Sequence, residues 1–134
     1  MRFAFREIPD PGGGAVRPRP IIDVVIEGLD IAPQACLLDS GATAARMGTH
    51  VAELCGIDLS AAPTTRLAVG GALVSARMAE VGLRVETYEW SAPVWFCDPW
   101  LPSFGLLGLT GFFDQFEVTI SAYEGRIELK PVSS

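Results

Sequence analysis

Residues 37–42 read Leu37-Leu38-Asp39-Ser40-Gly41-Ala42, two apolar residues running straight into Asp-Ser-Gly. The pattern predicts a buried strand that delivers one carboxylate onto a tight loop permitted by glycine. A carboxylate held there can do acid–base work on water. It is one half of a paired-carboxylate site, and the chain carries no second copy of the motif. Completing the pair therefore requires a second chain, related to the first by a two-fold axis.

The rest of the sequence reads as the strands and turns of one all-β domain over residues 1–134. Its core spans about 20–129, behind a loop-rich segment 1–19. At 134 residues, 49% hydrophobic and 19% charged, the chain is long and apolar enough for a core of its own. Fourteen glycines and ten prolines favour many turns over long helices. Residues 8–20 read as loop. Ile22, Val24 and Ile26 alternate with Asp23 and Glu27, a half-buried strand over 21–27 that turns at 28–33. Ala35 to Leu38 is a wholly apolar strand. Met47, Val51, Leu54 and Cys55 recur at helical spacing, with Thr49 as the cap and Gly56 as the stop. Residues 64–79 read as a hairpin turning at Gly70-Gly71. Val81, Leu83, Val85 and Thr87 define a further strand, and Ala92 to Cys97 another, closed by Asp98-Pro99. Leu106-Leu107-Gly108 is a second apolar run ending in glycine. A short helix is expected over 111–116, capped by Thr110. Strands about Val118–Ile120 and Ile127–Leu129 flank a turn at 123–125.

Composition removes several function classes. The net charge of −6 and the lack of a basic stripe argue against nucleic acid and against an anionic membrane surface. No apolar h-region follows Met1, and the longest uncharged stretch, 99–113, is too rich in Pro and Gly to span a bilayer. Cys36, Cys55 and Cys97 are odd in number and widely spaced, which reads as buried reduced thiols in a cytoplasmic protein. His50 has no ligand-spaced neighbours and reads as a solvated or capping residue. It stands too far from Ser40 to make that serine a nucleophile. Trp90, Trp95 and Trp100 read as core or barrel-rim packing. Asp98 and Asp114 read as turn and cap carboxylates.

The spacing allows a specific chemistry. Peptide hydrolysis by paired aspartates needs two carboxylates about 3 Å apart, which share a proton because both cannot ionise easily. With one Asp39 per chain, the axis must pass between two Asp39 side chains. Gly41 lets the two loops approach closely, and the Ser40 hydroxyl is placed to bond across the axis. The Val69-Gly70-Gly71 hairpin is placed to fold over an extended peptide as a lid, with Ala42, Val69, Gly70 and Gly71 contacting substrate.

Leu37 to Ala42, Gly70-Gly71-Ala72 and Leu106-Leu107-Gly108, in this order and spacing, resemble the retropepsin-like aspartic proteases, the single-domain homodimeric relatives of pepsin. The resemblance covers about Pro20 to Leu129. It implies a closed or nearly closed acid-protease β-barrel with one or two short helices, the homodimeric half of a pepsin-like fold. It also implies an endopeptidase of acid-shifted pH optimum that acts on polypeptides with no cofactor or metal. Asp39 would be catalytic and Ser40 would grip across the dimer. Leu107 and Gly108 would thread beside the active-site loop and support it, and Gly111 to Phe116 would form the helix that follows. The chain departs from the family at Leu109-Thr110, where relatives often carry Arg-Asp or Arg-Asn, so a charged brace at the dimer is missing. The alternative reading is a non-catalytic dimerisation or peptide-binding module on the same fold, with Asp39 kept as a loop-bracing carboxylate.

Overall fold

A computed structural model describes residues 1–9 and 16–132. Ten strands and one helix follow one another in the order β1 (Arg2–Ala4), β2 (Ile21–Ile26), β3 (Gln34–Leu38), β4 (Ala45–Gly48), α1 (Thr49–Cys55), β5 (Thr65–Val69), β6 (Ala72–Val85), β7 (Tyr88–Asp98), β8 (Gly105–Leu107), β9 (Phe116–Ser121) and β10 (Arg126–Pro131). Seven strands form one sheet in the order β2-β3-β8-β4-β7-β6-β5, and β2 also pairs with β6. That extra pairing, Val25 with Arg84 and Ile26 with Leu83, closes six strands into a barrel and leaves β5 outside it as an edge. Closure removes the exposed edges that an open sheet would carry. The expected closed all-β barrel is what forms, with one short helix. The remaining strands make a small sheet, β1-β10-β9.

Alternation along the strands sets what is buried. Ile22, Val24, Ile26, Cys36, Leu38, Met47, Val81, Leu83, Val85, Val94, Phe96 and Leu107 fill the barrel. Phe112 and Phe116 cap the core, their ring centroids 4.9 Å apart, with Trp90 edge-on to Phe116. The second cluster lies outside the barrel: Val74, Ala76 and Cys97, with Leu67, Val69, Trp95 and Trp100 packed on them. Strand β6 serves both. Its even residues Val74 and Ala76 face the outer cluster, and its odd residues Val81, Leu83 and Val85 face the barrel.

Four expectations need correction. The strands read separately over 72–79 and 81–87 are one 14-residue strand, and Thr87 lies in the turn that joins it to β7 rather than in the strand. Met47 is in β4, paired with Phe96, and the ladder continues through Gly48, so the helix starts only at Thr49. Gly48 is its N-cap, without a side-chain cap bond, while Gly56 ends it in the left-handed region as expected. No helix forms over 111–116. Gly111 has φ +94°, the amides of Phe113 and Asp114 reach back five residues to Gly108 and Leu109, and Phe116 already pairs in β9. Within the N-terminal segment read as loop, Arg2–Ala4 pair with β10, and Arg6 bridges Arg19. Residues 10–15 of that expected loop lie outside the described ones.

Cys36 is wholly buried in β3, and burial pushes its thiol up to about 12, opposed by a hydrogen bond from the Gly105 backbone. The folded-state value is raised above the ordinary 9.0, so the stability it contributes is complete below pH 9 and is lost as pH rises towards 12. Urea unfolding between pH 9 and 12 should show falling stability, and the Cys36→Ala chain, less stable at neutral pH, should lose less across that interval.

Candidate active site

Strand β3 enters the barrel wall in parallel register with β8, Leu37 beside Leu106 and Leu38 beside Leu107. The ladder runs one residue past β3, where the Asp39 amide donates to the Leu107 carbonyl over 2.9 Å. Asp39 therefore leaves the sheet at a position fixed by backbone bonds on a neighbouring strand. The chain then turns at once. The Ala42 amide donates to the Asp39 carbonyl (3.1 Å), and the Gly41 amide to Asp39 Oδ1 (2.9 Å). Asp39 is half-buried, while Ser40, Gly41 and Thr43 are exposed.

The loop is clasped from its other side. Residues 108–110 run along it, the Leu109 amide donating to the Ala42 carbonyl (3.0 Å) and Thr110 to Thr43 (2.9 Å). Ala44 and Thr110 form a parallel bridge. The approach is close enough to specify glycine. A Cβ on Gly108 would stand 2.6 Å from the Ala42 carbonyl oxygen and 2.8 Å from the Ala44 amide nitrogen and carbonyl oxygen. Two side chains hold the clasp in turn. The buried Trp90 indole donates to the Gly111 carbonyl over 2.6 Å, and Asp114 Oδ1 accepts the Gly111 amide over 3.0 Å. Leu107 and Gly108 thus stand beside the Asp39 loop, bonded to it through backbone groups.

The β5–β6 hairpin turns on Gly70 (φ +57°) and Gly71 (φ +82°), the paired positive angles of a tight two-residue turn, flanked by the pair Val69 and Ala72. Its tip is exposed, and its inner face carries Leu67, Val69 and Val74. Ala42 is buried in the loop, apart from the hairpin tip in sequence and element. Among the described residues no three His, Cys, Asp or Glu side chains converge as metal ligands.

Sequence reasoning missed three participants. Trp90 was read only as packing, although an indole N–H in an apolar setting signals a required acceptor. Asp114 was read as a helix cap and caps a non-helical turn instead. Arg46 carried no signal of its own. It lies on β4 opposite Leu106 and next to Trp95, and its Nη1 donates to the Ala68 carbonyl of the hairpin over 2.6 Å.

No family model matches the sequence, and no curated protein matches it. Solved structures do match its fold. A retropepsin-like aspartic protease from Rickettsia conorii superposes with a TM-score of 0.61 at 18% identity, covering 96% of this chain and 88% of that one. The retroviral protease-like domain of Ddi1 from Leishmania major gives 0.60 at 14% identity, over 86% and 96%. EIAV protease, in complex with the inhibitor HBY-793, gives 0.53 at 19% identity, over 69% and 83%. The fold of this chain is the retropepsin-like one.

The Gly108 contact makes a direct prediction. Gly108→Ala must push the clasp off the loop, an overpacking cost of about 1–3 kcal/mol. A lower urea midpoint is expected, together with faster hydrogen exchange of the Leu109 and Thr110 amides than elsewhere in the barrel.

Proposed function

We propose that the chain is an aspartic endopeptidase that works as a homodimer, with the two Asp39 carboxylates placed face to face across a two-fold axis. The observation that carries this reading is the mounting of Asp39. It is a half-buried carboxylate at the end of a barrel strand, fixed by the Leu107 carbonyl and the Gly41 amide and clasped through Gly108. A turn residue that merely solvates itself would not need backbone bonds from a second strand to hold its position. The retropepsin-like fold supports the same reading.

The chemistry follows from the pair. Two carboxylates about 3 Å apart share one proton. The ionised member takes a proton from a water molecule, and the water oxygen attacks the scissile carbonyl carbon. The protonated member donates to the carbonyl oxygen, giving a tetrahedral diol. Collapse of that diol returns a proton to the leaving amine and restores the shared proton. Activity belongs to the coupled pair, so its pH profile reports the pair and not one residue. Ser40, exposed beside Asp39, is placed to bond between the two loops and hold them in register. Leu109, 49% exposed in the clasp, presents an apolar contact where a charged brace would otherwise stand. The Val69-Gly70-Gly71 hairpin covers an extended substrate, pairs with its backbone and excludes water.

Peptide-library cleavage read by mass spectrometry tests this between about pH 4 and 7, at high protein concentration, alongside sedimentation. Asp39→Asn should reduce turnover at least about a hundredfold while leaving fold and dimer intact. Turnover should rise faster than linearly with protein concentration where the dimer is partly dissociated. Cuts that persist in Asp39→Asn would overturn the mechanism. A dimer that cuts nothing would favour a peptide-binding module on the same fold.

A further inference from the structure

We infer that Arg46 is a specificity determinant that selects polypeptide substrates bearing an acidic side chain close to the bond cut; this rests on the peptidase reading above. The argument begins with strand register. Leu37, Leu106, Arg46, Trp95 and Met78 are successive cross-strand partners on β3, β8, β4, β7 and β6. None of them is buried, whereas their sequence neighbours Leu38, Leu107, Met47 and Phe96 are in the barrel core. The five form a stripe across the outer face of the barrel wall. Leu37 precedes Asp39 by two residues, so the strand period brings the carboxylate to that same face. Arg46 is two strand spacings from β3, about 10 Å. Above the stripe lies the inner face of the β5–β6 hairpin, with Leu67 and Val69 packed in one cluster with Trp95. On the peptidase reading, the stripe and the hairpin form the floor and roof of the substrate path to Asp39.

Arg46 is the cation of the stripe, and it is incompletely satisfied. Its Nη1 bonds the Ala68 carbonyl, while its Nε is buried without a hydrogen-bond partner among the described residues. Arg2, Arg6 and Arg126 each pair with a carboxylate, but Arg46 has none within ion-pair distance among the described residues. A buried guanidinium N–H with no acceptor is costly to keep. With Nη1 on the Ala68 carbonyl and Nε unpaired, the guanidinium keeps donors that a carboxylate can take up once the hairpin lifts off Arg46. The roof has β5 as a free edge and rests on the stripe through the Arg46–Ala68 bond and the packing of Leu67 and Val69 with Trp95, so a peptide enters when these contacts part. An Asp or Glu side chain projecting from that peptide then takes the place of the Ala68 carbonyl and pairs with the guanidinium. Gln or Asn offers one oxygen and no charge.

The test profiles cleavage of a proteome-derived peptide library from pH 4 to 7 by the full chain and by Arg46→Gln, Arg46→Lys, Arg46→Glu and Asp39→Asn. The full chain should show Asp or Glu enriched roughly tenfold or more at one fixed subsite. The Glu-over-Gln preference should fade as pH falls through about 4.3, where a Glu side chain loses its charge. Arg46→Gln should abolish the discrimination, Arg46→Lys should retain part of it, and Arg46→Glu should turn it towards Lys and Arg. Asp39-dependent cuts without an acidic preference, or with one that survives Arg46→Gln, would overturn the inference and leave the peptidase reading standing. If nothing is cut, the peptidase reading fails. Affinity selection of the same library on immobilised Asp39→Asn chain then decides the Arg46 site alone. Enrichment of acidic peptides that Arg46→Gln removes supports it, and no enrichment overturns it. Thermal melts of each variant separate lost selectivity from lost fold.

Discussion

The structure depends on one backbone clasp. Asp39 donates to Leu107 on one side of a loop, Leu109 and Thr110 donate back to Ala42 and Thr43 on the other, and Gly108 lies between them with no room for a methyl group. Through this contact two segments far apart in sequence become one unit. The barrel needs it because β8 is the strand that joins β3 to β4. The carboxylate depends on it too, because a loop held only at its own ends would leave the position of Asp39 unrestrained by the barrel wall. Trp90 and Asp114 extend the restraint by bonding Gly111, which ties the clasp to the aromatic cap of the core.

Much of this was legible in the sequence, and the reason is local. Leu37-Leu38-Asp39-Ser40-Gly41 and Leu106-Leu107-Gly108 state their structure within a few residues: an apolar strand, then a position where only a small residue fits. Gly70-Gly71 announces its turn the same way, since both residues take positive φ. The elements misread are those decided by distant partners. Nothing local in Met47-Gly48-Thr49 says that a ladder to Phe96 and Cys97 continues through Gly48 and delays the helix. The segment 111–116 has a good helical spacing of Phe112 and Phe116, yet bonds to Gly108 and Leu109 and the pairing of Phe116 with Pro131 compete for the same backbone groups and win.

The division of β6 was misread for a different reason. Hydrophobic period two was present throughout, but its phase shifts between Ala76 and Val81. A phase shift in sequence ordinarily marks a new strand. Here one strand passes from the hairpin to the barrel, and the face it must bury changes as its surroundings change. Arg46 was invisible for a related reason. A single charged residue at an intermediate position looks like surface until the register shows what lies opposite, and only the cross-strand order Leu37, Leu106, Arg46, Trp95 puts it on the floor beneath the hairpin.

That alternation has an evolutionary consequence. Residues of odd and even position on the same short strands answer to different demands: Leu38, Leu107, Met47 and Phe96 to the packing of the barrel, Leu37, Leu106, Arg46 and Trp95 to the outer face beneath the hairpin. A lineage can alter the second set at less cost to the barrel interior, because these side chains lie outside it, although Trp95 also packs on Val74, Ala76 and Cys97. Descendants of one barrel can therefore differ on this outer face while their architecture remains recognisably the same.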